Sequence, residues 1–416
     1  MKKKISLFNF LKKGDEKSNP NIKNTYYVGS YTGQKKLWRD NPYYSLAKDG
    51  FMDNIIVNRS ISMIAKNASS VALLYYKYDQ NGNKVELDIN HPICKLIARP
   101  NKQLSQMQFF ENIFFHFIIS GNTYIYATSN DKGTGVESLD VLRPDRVTVS
   151  PMSTGEGLMY EYSIDNSVYK IPIENNNSNA PLLHLKNFHP LDDYCGFSSL
   201  QAAISVVEQY NECIKWNKSL VKNGARPSGA IVVKNENGNG GALTDEQFEQ
   251  IREQLNNHSG QENAGKILIL EGGLDWKEMS VSPKDMEFLE TKNGAARDIA
   301  LSLGMPPQLL GIRGDNTYSN VAEARLAFWE ETVLPLLNST LDSLSKWISN
   351  LFQEEIEISY DIDLISALSE KRSKMWKNVQ DSNFVTEDEK REIFGFGSNK
   401  NETQNETQEG VKFTPQ

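Results

Sequence analysis

The sequence predicts an α+β fold built from about three structural units. Two patterns carry this prediction. The first half of the chain alternates segments of helical apolar spacing with short strands, and the second half places two long, well-capped helices on either side of a small β-rich segment. Of its 416 residues, 39% are apolar and 24% are charged. This composition can form a buried core and excludes a chain that is disordered throughout.

The first half is predicted to contain two helices among several strands. Residues 1–40 are polar and are expected to be disordered. Apolar residues recur at helical spacing from Asn54 to Ala68, and a second helix is predicted from Ser105 to Ile119, with Gly121 as its stop. The predicted strands are Val71–Tyr78, Thr123–Ala127, Val136–Leu142, Arg146–Ser150, Met159–Ile164 and Leu182–Leu185. A turn at 80–83 is predicted to follow the first of them.

The second half has clearer helix ends. Ser198 and Gln201 predict a capping box for a helix that runs to Asn223, where Gly224 supplies a left-handed cap. Pro283 predicts the first turn of another long helix, which ends at Gly304. Between these helices the sequence predicts a strand at Gly229–Val233, a tip at 235–241, a helix capped by Thr244 and Gln247, and a strand at Lys266–Leu270.

The C-terminal part begins with an irregular stretch rich in proline and glycine, residues 305–319. Asn320 and Glu323 predict the cap of the last long helix, which Pro335 should kink. A strand at Ile356–Tyr360 and a small helical region up to Phe394 follow. The polar tail from Ser398 is expected to be disordered.

The charge balance and the cysteines exclude several classes of protein. The net charge of −8 excludes a generic polycation that coats nucleic acid through counterion release, but not a protein through which nucleic acid passes. The three cysteines, Cys94, Cys195 and Cys213, are odd in number and widely spaced, so they indicate a reducing compartment rather than a disulfide scaffold. No apolar run approaches the roughly 20 residues that span a bilayer, so no membrane partner is expected.

One segment resembles a phosphate-binding loop. Residues 260–266 match G-x-x-x-x-G-K, but Ile267 follows where a Ser or Thr hydroxyl would hold magnesium. The predicted order of elements is also reversed, because a helix precedes the segment and a strand follows it. A helix-to-strand turn is therefore favoured over an ATPase that uses Lys266. No histidine–cysteine spacing suits a metal, and no pattern assembles a nucleophile and its base, so we expect no enzyme, cofactor or metal.

Three separated segments resemble phage portal proteins, the head–tail connectors of tailed phages. They are Gly196–Gly229, Asn263–Glu290 and Ile299–Leu337, with weaker similarity over His91–Tyr126 and Val141–Pro151. The pattern is similar to that of portals from long-tailed phages, including those of prophages and gene transfer agents. The resemblance implies a portal fold with an α/β wing, a two-helix stem, a small β-rich clip, a kinked long wing helix and a short helical crown.

The resemblance also implies a function and a set of partners. Portal proteins form a ring, usually of twelve subunits, at one capsid vertex of the virion, and they are assembled in the host cytoplasm. The terminase motor packages double-stranded DNA through the ring, and the DNA later leaves by it. The implied partners are other copies of the chain, the terminase large subunit, a head–tail adaptor, the major capsid and scaffolding proteins, and DNA bound transiently without sequence preference. Another ring-forming head–tail adaptor or minor capsid protein remains an alternative.

By this resemblance the regions of the chain are assigned in order. They are a disordered N-terminal segment (1–40), the wing (41–197), the first stem helix (198–226), the clip (227–282), the second stem helix (283–304), the tunnel loop (305–319), the returning wing (320–360), the crown (361–397) and a disordered tail (398–416).

Two sets of site residues follow from the same resemblance. The DNA-facing residues of the tunnel loop are expected to be Gly311, Ile312, Arg313, Gly314, Asp315, Asn316, Thr317 and Tyr318. The clip tip that faces terminase or the adaptor is expected to be Asn235, Glu236, Asn237, Gly238 and Asn239. In the tunnel loop the charges of Arg313 and Asp315 nearly cancel, so weak contact with sliding DNA is expected.

Overall fold

The computed structural model describes most of the chain between residues 42 and 393. The described ranges are 42–79, 84–129, 135–152, 157–165, 167–174, 179–222, 229–233, 244–258, 274–278, 288–312, 318–382, 384 and 386–393. The expected disordered ends, the turn at 80–83, the cap at Gly224 and the strand at Lys266–Leu270 lie outside these ranges. Contacts divide the chain into two compact units, one of residues 1–70 and 75–359 and one of residues 71–74 and 360–416.

The larger unit has a helical core. Its helices are α1 (Ile55–Ser69), α2 (Pro92–Ala98), α3 (Gln106–Ser120), α4 (Ser199–Ala202), α5 (Ile204–Lys222), α6 (Asp245–His258), α7 (Phe288–Ser302), α8 (Tyr318–Ala327) and α9 (Leu334–Phe352). A short helix, Pro42–Ser45, continues as a π-helix over Leu46–Met52. One cluster of buried side chains joins α1, α4, α5 and α7, and it includes Val57, Ile61, Leu200, Val207, Tyr210, Ala296, Ile299, Leu303 and Ile312.

The strands come almost entirely from the larger unit, and every pair of them with a defined register is antiparallel. They are β1 (Leu73–Tyr78), β2 (Lys84–Glu86), β3 (Asn122–Ser129), β4 (Val136–Leu142), β5 (Val147–Pro151), β6 (Gly157–Ile164), β7 (Ser167–Glu174), β8 (Leu182–Lys186), β9 (Gly229–Val233), β10 (Leu274–Glu278) and β11 (Ile356–Tyr360). They form sheets of order β11-β1-β2, β4-β3-β8, β5-β6-β7 and β10-β9. A second apolar cluster, with Tyr124, Leu142, Val149, Tyr160, Ile171 and Leu182, lies between the second and third of these sheets.

Local capping signals account for the helix ends that the sequence predicted correctly. The Asn54 side chain accepts hydrogen bonds from the amides of Ile56 and Val57 at the start of α1. Ser105 and Gln108 form a reciprocal capping box, and Gly121 ends α3 with φ +74°. Thr244 and Gln247 form the same reciprocal pair before α6.

Other predicted boundaries were wrong. Ser198 caps the first turn through the Leu200 amide, but its hydroxyl also donates to the Ile118 carbonyl, and the helix is interrupted at Ala203. The last long helix begins by Tyr318, so Asn320 lies within α8 rather than at its cap. The sequence did not predict α2 or the helical segment 42–52. It also did not predict the strands β2, β7 and β10.

The smaller unit is helical. A 3-10 turn, Ile362–Leu364, precedes α10 (Ser369–Asp381) and α11 (Glu387–Ile393). The guanidinium of Arg372 donates to both carboxylate oxygens of Asp363, at 2.6 and 3.0 Å. This agrees with the small helical region expected up to Phe394.

Over the residues that the structure describes, no helix combines the length and apolar character needed to cross a membrane.

Candidate functional site

Two long helices, α5 and α7, pack against each other and bracket the segment expected to form the clip. Tyr210 of α5 is buried in the same cluster as Ile299 of α7, and the Lys292 ammonium lies 5.8 Å from the centroid of the Tyr210 ring. The chain between the helices carries β9 and β10, which pair from Gly229↔Glu278 to Val233↔Leu274. The segments that leave α5 and lead towards α7 therefore run side by side. The clip-tip residues, 235–239, lie between β9 and α6 and outside the described ranges.

The end of α7 is held tightly where the predicted tunnel loop begins. Gly304 adopts φ +65°, and a Cβ there would lie 2.8 Å from the Thr332 hydroxyl oxygen. That hydroxyl donates to the Gly304 carbonyl at 2.5 Å, and the Met305 amide donates to the Ala300 carbonyl at 2.8 Å. Met305 itself is buried. The first residues of the loop are therefore fixed to the helix that precedes them and, through Gly304, to Thr332.

Only part of the predicted DNA-facing set falls within the described ranges. After a 3-10 turn, Pro307–Leu310, Gly311 is exposed with φ +69°, and none of the residues that the structure describes has an atom within 4 Å of its would-be Cβ. Ile312 is 8% exposed and belongs to the helical core cluster. Its apolar side chain is removed from water and anchors the loop to the subunit. Residues 313–317 lie outside the described ranges, and Tyr318 is the first residue of α8.

The helix that follows the loop contains a π segment, Phe328–Val333, between α8 and α9. Pro335, near the start of α9, has no amide hydrogen and cannot complete an ordinary helical ladder. A wide turn just before it is a common way to accommodate such a break. The sequence predicted a kink at Pro335, and it did not predict the π segment that precedes this proline.

The sequence reading missed the loop that leads into α4, residues 187–197. Its last part is docked on the end of α3 through two glycines, because a Cβ at Gly196 would overlap the Gly121 carbonyl oxygen and a Cβ at Gly121 would lie 2.5 Å from the Phe197 carbonyl carbon. The buried Asn122 side chain accepts from the Gly196 amide at 2.6 Å and donates to the Gly196 carbonyl at 3.0 Å. No local pattern could reveal this contact, since 74 positions separate Asn122 from Gly196.

His184 completes the polar network around Asn122. Its Nε2 lies 3.0 Å from the Asn122 Oδ1, its Nδ1 lies 3.3 Å from the Tyr160 hydroxyl, and its ring stacks on Tyr124 with centroids 4.3 Å apart. Burial lowers the pKa of His184 to about 3, so the ring is neutral at pH 7. A neutral ring that donates from Nε2 and accepts at Nδ1 satisfies both neighbours.

The described residues offer no assembled catalytic or metal chemistry. Among them, no three His, Cys, Asp or Glu side chains are grouped so that they could hold a metal ion. Burial and the nearby Asp192 carboxylate raise the pKa of the Cys195 thiol to about 11, which keeps it protonated and a weak nucleophile. The phosphate-loop-like residues 260–266 lie outside the described ranges.

Comparisons with known proteins agree on one family. The family model described as phage portal protein matches residues 56–395. An uncharacterised protein of Rickettsia bellii is 44% identical over 358 residues, which cover 83% of this chain and 88% of that protein. The portal protein of Enterobacteria phage HK97 is 23% identical over 346 residues, 80% of this chain and 76% of that one. A chain from the neck of a native gene transfer agent particle, computed with C12 symmetry, is 37% identical with a TM-score of 0.64, and the match covers 87% of this chain and 95% of that chain.

Proposed function

This chain belongs to the phage portal protein family, and we propose that it forms the ring-shaped channel at one capsid vertex through which double-stranded DNA is packaged by the terminase motor and later ejected. The family is structural rather than enzymatic, so the chain is a portal-type head–tail connector and not an ATPase. The similarity to the neck of a gene transfer agent supports a place at the capsid vertex of a virion.

One observation carries the proposal most directly. Helices α5 and α7 pack against each other, and the segment of chain that connects them contains the paired strands β9 and β10. This layout suits a two-helix stem with a projecting clip. The C12 symmetry of the similar neck chain supports a ring of twelve copies, in which each subunit contacts its two neighbours through different surfaces.

For the tunnel loop, we retain Gly311, residues 313–317 and Tyr318 as the DNA-facing set. The buried Ile312 and the Gly304–Thr332 contact secure the start of this loop to the body of the subunit. Arg313 and Asp315 carry opposite charges, and the other members of the set are uncharged. Such a loop contacts phosphates only weakly, and DNA that must slide past it is not retained by strong cationic clamps. Residues 235–239 of the clip are proposed to face the terminase large subunit and the head–tail adaptor.

The ring is tested by mass photometry and negative-stain imaging of the purified chain under assembly conditions. We expect annular particles of about twelve times the 47.1 kDa chain mass. A protein that remains a monomer under all of these conditions, including in the presence of scaffolding protein, would contradict the proposed function.

The tunnel loop is tested by replacing residues 313–317 with five glycine or serine residues while Ile312 is kept. We expect rings of normal size that fail to package or retain full-length DNA in a packaging reaction. Normal packaging and retention would show that the loop is not the gate.

The clip tip is tested by the same replacement of residues 235–239 with glycine or serine. This variant should leave the ring intact but abolish capture of the terminase large subunit.

A further inference from the structure

The 187–197 loop presents two large apolar side chains to water. Phe188 is 87% exposed and Leu191 is 82% exposed, and the loop is neither helix nor strand. Isolated exposed apolar residues are ordinary on protein surfaces, but a cluster of them marks an interaction site. A third large apolar side chain, Leu301 on the exposed face of α7, is 78% exposed.

Phe188 and Ser302 line one cleft, which brings the 187–197 loop next to the end of α7. Leu191 belongs to the same loop as Phe188, and Leu301 is the residue before Ser302. The residues that line the cleft are Asn187, Phe188, Phe197, Ser199, Ala202 and Ser302. We call this cleft, with Leu191 and Leu301, the loop–stem surface.

The loop holds its shape through contacts of its own. Lys186 donates from Nζ to the Asp193 carbonyl, and the Asp192 carboxylate accepts from the amides of Tyr194 and Cys195. The Leu191 amide donates to His189 Nδ1, and the His189 ring meets Phe197 edge-on with centroids 5.4 Å apart.

The far end of the loop is fixed by the contacts of Asn122 and Gly121 with Gly196. Phe188 and Leu191 are thus displayed on a pre-ordered loop, which lowers the entropy lost when a partner binds.

We propose that the loop–stem surface is a contact between neighbouring copies of this chain in the ring, and this inference rests on the proposed portal function. A cyclic ring requires each subunit to bury two different surfaces. The similar neck chain has twelve-fold symmetry, so a chain of this family meets copies of itself on both sides. Through Ser302, the cleft beside Phe188 reaches the C-terminal end of α7.

The outer face of α7 has a second feature that suits a close neighbour. Glu290, Gly294, Arg297 and Leu301 recur at three- and four-residue spacing and are exposed, whereas Ala295, Ile299 and Leu303 are buried on the other side. Gly294 lies in the middle of the helix, and no atom of the described residues lies within 4 Å of a would-be Cβ. A glycine there costs helix stability that no contact with the described part of the subunit offsets, and it allows another backbone to approach.

The test is assembly of a double variant, Phe188→Ser with Leu191→Ser, followed by mass photometry across a concentration series. Burial of each side chain in the contact predicts about a tenfold loss of association per site, so the midpoint of ring formation should rise by about 100-fold. The matched control is Ile89→Ser with Phe384→Ser, because Ile89 is 84% exposed and Phe384 is 90% exposed. The control should assemble at the wild-type concentration.

A second measurement needs no variant that might misfold. Hydroxyl-radical footprinting of the wild-type monomer and ring should show that Phe188, Leu191 and Leu301 lose at least several-fold of their reactivity in the ring. If the wild-type ring forms while these side chains stay reactive and the double variant assembles normally, the inference is overturned but the portal function stands. If no ring forms at all, the portal function itself fails.

Discussion

Asn122 is the residue whose removal tests the architecture most directly. Its side chain makes hydrogen bonds to the Gly196 amide, the Gly196 carbonyl, the Ser120 carbonyl and His184 Nε2, and the residue is only 8% exposed. The change Asn122→Ala removes all of them. It leaves the buried Gly196 amide and the His184 Nε2–H without an acceptor.

The expected loss follows from these orphaned groups. A buried donor left without a partner costs about 1–3 kcal/mol, and two are created here. Since the site can relax in part, we expect the free energy of unfolding to fall by about 2–4 kcal/mol. That is a large share of the roughly 5–15 kcal/mol that stabilises an ordinary domain. The 187–197 loop should also separate from Gly121 before the rest of the unit unfolds.

The assay is urea denaturation of the monomeric chain, followed by circular dichroism, together with hydrogen exchange at residues 187–197. The matched control is Asn58→Ala, because Asn58 is exposed and its side chain donates a hydrogen bond of 3.1 Å to the Phe51 carbonyl. The control should cost less than about 1 kcal/mol. Equal losses for the two variants, or unchanged exchange in the loop, would refute the reasoning that this network docks the loop.

Three further predictions concern burial and helix propensity. Burial lowers the pKa of His116 from 6.5 to about 4. As the pH falls between these values, the unfolded chain binds a proton that the folded chain does not, so the free energy of unfolding should fall over that range. In urea denaturation at a series of pH values, His116→Gln should lessen this fall by up to about 1.4 kcal/mol per pH unit. Gly294→Ala should raise the free energy of unfolding by about 0.5–1 kcal/mol, measured by urea denaturation of the monomer, and no change or a loss would contradict the reading of an unstrained, open helix position. Ile312→Ala should lower that free energy by about 2–4 kcal/mol, whereas Ile55→Ala, at a 69% exposed site, should cost less than about 1 kcal/mol.

The sequence predicted best where the physical cause is local. The predicted cap of Thr244 and Gln247 depends on residues three positions apart, and it is present in the structure. The predicted helix start at Ser105 is also present, with a capping box to Gln108 that was not predicted. The helix end at Gly304 follows from a single glycine and the prolines after it. At Ser198 the local signal was incomplete, because the hydroxyl also satisfies a carbonyl 80 residues earlier in the chain. A capping pattern alone cannot reveal such a competing partner.

The candidate site was less predictable for the same reason. The similarity of separated segments indicated the family, and the family match over residues 56–395 confirmed it. The burial of Ile312 depends on the helices it packs against, which no pattern within the loop encodes. The docking of Gly196 on Gly121 is likewise a tertiary contact between distant segments. The DNA-facing and clip-tip assignments stay predictions.

The π segment Phe328–Val333 sets the phase between the two helical stretches that flank it. Ala324 and Phe328 are buried four positions apart, as are Val333 and Leu337, yet five positions separate Phe328 from Val333. In a regular α-helix, at about 100° per residue, that step would turn Val333 away from the face of Phe328. A chain shortened by one residue within this segment can therefore run as an ordinary helix with both apolar faces still aligned. The same deletion one turn into α9 would rotate every later core side chain off its register.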